Sequence, residues 1–510
     1  MRKFTLFLMS LFLAVGAMAQ VDFSNFVGCE VSFTNIQQDG TTKLTLYIND
    51  DNVLALSTSS AEELGDAAKF FVEKRANNKY SFYNREKQLY MIWRGLNGGY
   101  NSDKGVLGTY NATYCDWTIK DGGELASTQT YYIVSKRSNG NDGSLVVKKE
   151  GVFDGWGNSK ALASNYSNLY DVKIETDRVA YFRLKGYSGG YVDASSIYNN
   201  ANAKYGQMSI KSDENCNLAG TIFYYDDENR FLNYATGTYV CVGREIAAVG
   251  ADAGKNTTWD IYCSATKGLF KLYGTYQDNG NKNVWLHDNS GNRADRCSNE
   301  ADHANTTHSW AIEEVTSLPV TITAAKYATF YAPVAVTVPA GVEVYYATAK
   351  GIDGGYISLT KIENGVVPAN TGVILYAEND GTYNLDITTT GAAAITDNLL
   401  RGTVAATYVA EDAYVLAKDA NNEAYFGKAT KNQQNGASWL NNSHKAYLPA
   451  SLANGAASYS FRFEGEGTTG VENVEVENEV KAIYDLTGRR VEAITAPGVY
   501  IANGRKVLVK

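Results

Sequence analysis

The run GTIFYYDDENRFLNYATGTYVCV, residues 220–242, reads as two strands joined by an acidic turn. Ile222–Tyr225 is a solid block of branched and aromatic residues. Asp226-Asp227-Glu228 supplies turn chemistry, and Phe231-Leu232 starts a second apolar run. Its core triplet, Phe223-Tyr224-Tyr225, is one of six of the same kind. The others are Phe70-Phe71-Val72, Trp117-Thr118-Ile119, Val172-Lys173-Ile174, Trp259-Asp260-Ile261 and Trp310-Ala311-Ile312. Side chains alternate along a strand, so the first and third residues of each triplet share one face. A unit of roughly 40–50 residues cannot bury such a face alone, and repeated units close a shared core together. Grouped three and three, the triplets predict two compact all-β domains.

Working outward, the same texture holds along most of the chain. Lys43–Ile48 (KLTLYI), Tyr131–Val134 (YYIV), Tyr181–Leu184 (YFRL) and the VEVYYA run around Tyr345-Tyr346 are short and rich in β-branched and aromatic residues. Asn97-Gly98-Gly99, Asp278-Asn279-Gly280 and Asn289-Ser290-Gly291 separate such runs with turn residues. Strands at this spacing predict sandwiches or barrels. The 37 tyrosines suit a pleated surface, packing the ring while the hydroxyl reaches water. Only Ser60–Val72 approaches a helical period.

Composition changes near residue 317. All six cysteines (Cys29, Cys115, Cys216, Cys241, Cys263, Cys297) and six of the seven tryptophans precede it, whereas all six prolines follow, from Pro319 to Pro497. Two such populations predict different architectures joined end to end. No Cys-x-x-Cys spacing occurs, so neither a redox motif nor a zinc site of that kind is expected. The cysteines allow either disulfides or buried free thiols.

Both ends carry address-like segments. Arg2-Lys3, an apolar stretch from Phe4 to Val15, and Ala17-Met18-Ala19 predict a signal peptide over 1–19, cut between Ala19 and Gln20. The stretch is shorter than the ~20 residues a membrane span needs, and no later stretch is apolar enough to cross. Removing Arg2 and Lys3 takes the formal charge from −9 to −11, with both signs interspersed. Such a surface offers nothing to a phosphate backbone, so nucleic acid is not an expected partner.

The two N-terminal domains, 20–176 and 177–316, resemble β-trefoil modules of the ricin type. The second shows it more clearly, in YFRLKGYSGGYVDAS (181–195), residues 220–242, and the Trp259 and Trp310 triplets. That resemblance implies carbohydrate binding, with Tyr191 and Asp193 on one repeat of 177–316 and Trp285 and Asp288 on another as ligand-binding candidates. The sequence departs from the family, because Gln-x-Trp is absent from all six triplets; Asp116, Thr258 and Ser309 stand immediately before the tryptophans. Those tryptophans read as core, and a turn-capping role competes with sugar binding for both aspartates.

Residues 317–465 read as a β-sandwich-like domain. Its YATFY (327–331), VPANTGVILY (367–376) and KAYLP (445–449) are similar to a domain common in secreted Bacteroidetes proteins. A polar acidic linker, 466–481, follows. Residues 482–510 then resemble a type IX secretion C-terminal sorting domain, through Tyr484, Asp485, Gly488, Arg489, Gly498, Tyr500, Gly504 and Lys506. The tail reads as three short strands with glycine turns. The resemblance implies the secretion machinery as a partner, and a secreted or outer-membrane-surface location.

Motifs for catalysis, cofactors and metals are not found. His303 and His308 in ADHANTTH read as solvated loop residues, and the acids of Asp226-Asp227-Glu228 as a solvated turn. The expected function is therefore non-catalytic binding, of glycans or of host or surface proteins. The alternatives are a structural or adhesive surface protein, and a glycoside hydrolase whose carboxylates converge only in three dimensions.

Overall fold

The computed structural model describes residues 23–509, except 38, 96–102, 111, 126, 137–141, 149–152, 155–165, 199–206, 243–247, 250–255, 265, 278–279, 298–305, 349–353, 434–435, 464–482, 486–488, 492–496 and 503–504. The expected signal peptide with Ala19 and Gln20, the linker, His303, Gly488 and Gly504 lie outside the described residues. Strands account for most of the fold, as the alternating patterns predict. Among the described residues no helix is long and apolar enough to cross a membrane.

Two compact units are present. The first takes in residues 1–319 with 404–407 and 442–444, and the second takes in 320–403, 408–441 and 445–510.

Within the first unit, two sheets each close into a ring. In the first lobe, Glu30–Ile36 pairs with Phe70–Arg75 on one side and Tyr170–Thr176 on the other. Phe70–Arg75 pairs with Lys79–Asn84, and Tyr80 bridges to Trp117 at the head of Thr118–Leu125. That strand pairs with Thr128–Lys136, which returns to Tyr170–Thr176 and closes the circuit. Between ring strands the chain makes excursions as hairpins, Lys43–Ile48 with Leu54–Ser57 and Leu89–Gly95 with Asp103–Gly108, and as a small sheet led by Val146–Lys148.

The second lobe repeats this plan. Tyr181–Lys185, Ile222–Tyr225 and Phe231–Asn233 pair in turn, and Arg230 bridges to Thr258 just ahead of Asp260–Cys263. Phe270–Gln277 pairs next, Phe270 bridges to Trp310, and Ala311–Glu314 returns to Tyr181–Lys185. Tyr191–Tyr198 with Gln207–Lys211, Tyr239–Val240 with Ala248–Val249, and Asn281–Asn289 with Arg293–Cys297 are its three hairpins. Six ring strands with three excursions between them in each lobe is the connectivity of a β-trefoil.

The six triplets are the strands that return from each excursion to the ring, which explains their character. Phe70, Val72, Trp117, Ile119, Phe223 and Trp259 are fully buried in their own lobe's core. Three tryptophans are placed equivalently. Trp117, Trp259 and Trp310 donate Nε1–H to the carbonyls of Met91, Val240 and Leu286, each on the first strand of its repeat's hairpin. A buried indole N–H needs such an acceptor. Ser60–Val72, the one helix-like stretch, forms an α-helical turn, Ala61–Leu64, held by a Ser60/Glu63 capping box, and a 3₁₀ turn, Gly65–Ala68, before the chain turns extended at Phe70. All six cysteines are free thiols.

The second unit holds a four-stranded and a nine-stranded sheet. Tyr356–Lys361 runs parallel to Ser458–Phe463 within the larger one. Tyr345, Ile357, Leu359, Ile374, Tyr414, Phe426, Leu448 and Tyr459 build its core. Pro449 ends a strand, where its missing N–H costs no ladder bond. Among the described residues the C-terminal module has four strands rather than the expected three. Ile483–Asp485 pairs antiparallel with Arg490–Val491, and the Asp485 carboxylate accepts from the Arg489 N–H at 3.0 Å. Gly498–Ala502 and Arg505–Val509, carrying Tyr500 and Lys506, complete it.

Candidate functional site between the two lobes

The strand Phe70–Arg75 has two buried faces. Phe70 and Val72 point into the first lobe, while Phe71 joins the apolar cluster of the second lobe beside Phe270, ring centroids 5.4 Å apart. By the same alternation Glu73 and Arg75 share the face with Phe71. Glu73 is fully buried, accepting hydrogen bonds from Ser81 Oγ (3.0 Å), Tyr90 Oη (3.1 Å) and, across the lobe boundary, the Cys263 N–H (2.7 Å). Arg75 completes this set as its ion-pair partner. Burial pushes the Glu73 carboxyl above the usual range, and Arg75 and the donors pull it back.

Beside this pair lies a cavity of about 310 Å³. The first lobe contributes Arg75, Tyr83, Gln88, Tyr90, Thr109 and Tyr110; the second contributes Tyr262, Cys263, Ser264, Lys271 and Trp285. The Arg75 guanidinium sits 3.9 Å from the Tyr110 ring centroid and 4.3 Å from that of Tyr262, a cation between two π faces. Its Nε–H donates to Ser81 Oγ at 2.7 Å. Trp285 packs on Tyr262 and Tyr273. At the rim, Tyr110 is 38% exposed and donates its hydroxyl to Asp116 at 2.9 Å.

The candidates drawn from the sequence fall apart in space. Trp285 lines this cavity, but Asp193 and Asp288 are engaged elsewhere. Asp193 is buried and accepts from Ser195 N–H (2.9 Å), Ser195 Oγ (2.7 Å) and Asn217 N–H (3.1 Å). Asp288 is buried and accepts from Ser188 N–H (2.8 Å), Ser188 Oγ (2.6 Å) and Gly291 N–H (2.8 Å). A glycine closes over each carboxylate: a Cβ at Gly220 would lie 2.3 Å from Asp193 Oδ1, and one at Gly186 would lie 2.4 Å from Asp288 Oδ2. Both aspartates hold loops. The Tyr191 hydroxyl donates to Glu313 at 2.7 Å, with Arg183 over its ring.

Two loop expectations are corrected. His308 is buried, 5.0 Å from the His287 ring, because the 3₁₀ turn Thr306–His308 tucks it under the Asn281–Asn289 strand. Asp226 is also buried rather than solvated, since it accepts from the Glu228 and Arg230 N–H groups and pairs with the Arg230 side chain.

Asp260 lies near this site, and Lys74 and Arg75 act on it. Burial still dominates and pushes its carboxyl up to about 6. A carboxyl raised on folding contributes stability that is present below its unfolded value, 3.8, and is lost as pH rises through about 6. Asp260→Asn should therefore remove a falling slope between about pH 4 and 6. At pH 7.5 it should add about 1–2 kcal/mol, after allowance for partial exposure. Urea unfolding of both proteins at pH 4, 5, 6 and 7.5 checks this, and parallel curves would refute it.

Glu73, Arg75, Tyr90, Tyr110 and Tyr262 carry no motif that sequence reading could have singled out. Their one signal is a charged pair two residues apart in FFVEKR, a strand already apolar on its other face. The sequence matches no family model and no curated protein.

Proposed function

We propose that this chain is an exported, non-catalytic binding protein that recognises carbohydrate in the cavity between its two trefoil lobes. The observation that carries the reading is the lining of that cavity. A sugar presents C–H faces that stack on aromatic rings and hydroxyls that need fixed partners. Tyr83, Tyr90, Tyr110, Tyr262 and Trp285 offer rings, and Arg75, Gln88, Thr109 and Ser264 offer polar groups. Its size falls at the lower end of small-molecule sites. The Glu73 network pins this frame from both lobes, so its donors are positioned before a ligand arrives.

A glycan array probed with the mature protein tests this directly. At least one glycan should bind, and Tyr110→Ala, which removes a wall ring at the rim, should weaken it by about tenfold or more, in line with a lost stacking contact. Asp288→Ala should leave affinity unchanged while lowering stability by about 1–3 kcal/mol. Silence across the array, or loss of binding in Asp288→Ala with Tyr110→Ala unaffected, would refute the site.

Export is supported by the Arg2-Lys3, Phe4–Val15 and Ala17-Met18-Ala19 pattern and by the tail's likeness to a sorting domain. Mass spectrometry of the exported protein should find Gln20 as its first residue and no peptides from 482–510. A product recovered from the cytoplasm with both ends intact would contradict it.

A further inference from the structure

The cavity's polar groups are not evenly distributed. Arg75 has two of its three guanidinium nitrogens engaged, Nε with Ser81 and Nη2 with Glu73. Nη1 makes no hydrogen bond to the described protein, although the side chain is only 12% exposed and lines the cavity. A guanidinium nitrogen with no described protein acceptor, on a side chain that lines the cavity between two rings, is a donor open to an incoming oxygen. The same cation is already balanced. Glu73 pairs with it, and Asp116 and Asp260 both act on it. A further anion would add like charge beside three acids, with Lys271 the other basic residue in the lining. An uncharged oxygen meets no such repulsion.

Exposure within the lining is one-sided. Gln88, Thr109 and Tyr110 are exposed, and all three belong to the first lobe. Tyr262, Ser264, Lys271 and Trp285, from the second lobe, are buried and form the inner wall. A ligand entering past Tyr110 therefore moves from exposed first-lobe side chains toward buried second-lobe ones. A site of about 310 Å³ graded from exposed to buried in this way suits the end of a chain better than its middle.

Resting on the carbohydrate reading above, we infer that the cavity binds the uncharged terminal residue of a glycan, with Arg75 Nη1 donating to its hydroxyl oxygens. Tyr110 and Tyr262 then do double service, holding the guanidinium and framing the entering ring. Arg75 acts as a specificity residue: it favours neutral acceptors because its charge is met internally.

The test compares three probe classes on the mature full-length protein: glycans with neutral ends, the same chains ending in uronic or sialic acid, and endless cyclic glucans as competitors. The expected result is binding to neutral ends only. Arg75→Lys, which keeps a charge for Glu73 but lacks the forked donor, should weaken that binding about tenfold or more with an unchanged far-ultraviolet spectrum. If Arg75→Lys fails to fold, Tyr110→Ala at the exposed rim supplies the same comparison. Equal or tighter binding of acid-terminated chains would overturn the charge assignment, and competition by cyclic glucans equal to that of open chains would overturn end recognition. Failure of every glycan to bind would sink the carbohydrate reading itself, a distinct outcome.

Discussion

Replacing Glu73 with alanine should lower the stability of the first unit by about 3–5 kcal/mol, the cost of breaking a buried pair by removing one partner. Four donors converge on this carboxylate: Arg75, Ser81, Tyr90 and the Cys263 backbone. Alanine leaves the Arg75 charge without its counter-ion in a site where the side chain is only 12% exposed. It also strands the Cys263 N–H, 190 residues away in sequence and on the other lobe. Glu73→Gln should be milder, because the amide keeps an acceptor oxygen for one donor while losing the charge. Urea unfolding followed by tryptophan fluorescence measures both. A loss below about 1 kcal/mol for Glu73→Ala would mean the pair is solvated and does not join the lobes.

Trp259→Ala should be comparably costly, about 3–5 kcal/mol, for a different reason. Its indole is fully buried, stacks on Phe231 with centroids 6.1 Å apart, and donates to the Val240 carbonyl at 3.0 Å. Truncation opens a cavity at the centre of the second ring and leaves that carbonyl without its donor. Trp259→Phe should recover most of the packing and retain only the cost of the lost hydrogen bond, about 1–3 kcal/mol. Calorimetric melting of the two variants separates the terms. Equal losses would indicate that the hydrogen bond, not the volume, holds the strand.

Both predictions fall on residues of the same triplet-bearing strands, yet only one was readable in advance. Trp259 was legible because a ring strand must bury its first and third residues wherever it lies, and that demand shows as period two. Glu73 and Arg75 occupy the opposite face of such a strand, where polar residues ordinarily meet water. Here a second lobe covers that face, and the partner that reveals it, the Cys263 N–H, is supplied by a distant segment. No local pattern encodes a contact of that range. Tyr110 and Tyr262 were hidden in the same way, as two tyrosines among 37.

The aspartates show the converse limit. Asp193 and Asp288 had the residue type and neighbourhood of a sugar site, but their fate is decided by hydrogen bonds to Ser195, Asn217, Ser188 and Gly291. The choice between capping and contact rested on which way a loop closes, and Gly186 and Gly220 let the backbone close over the carboxylates. Asp485 behaves similarly, its carboxylate accepting from the Arg489 N–H and Nε where one expected strand is two.

Determining a crystal structure of the mature protein with the best array glycan would probe the binding site most directly. The terminal sugar should lie between the lobes, a hydroxyl within hydrogen-bonding distance of Arg75 Nη1 and a ring face against Tyr110 or Tyr262. Density for the sugar on the hairpins that carry Asp193 and Asp288, with the space beside Arg75 empty, would contradict it.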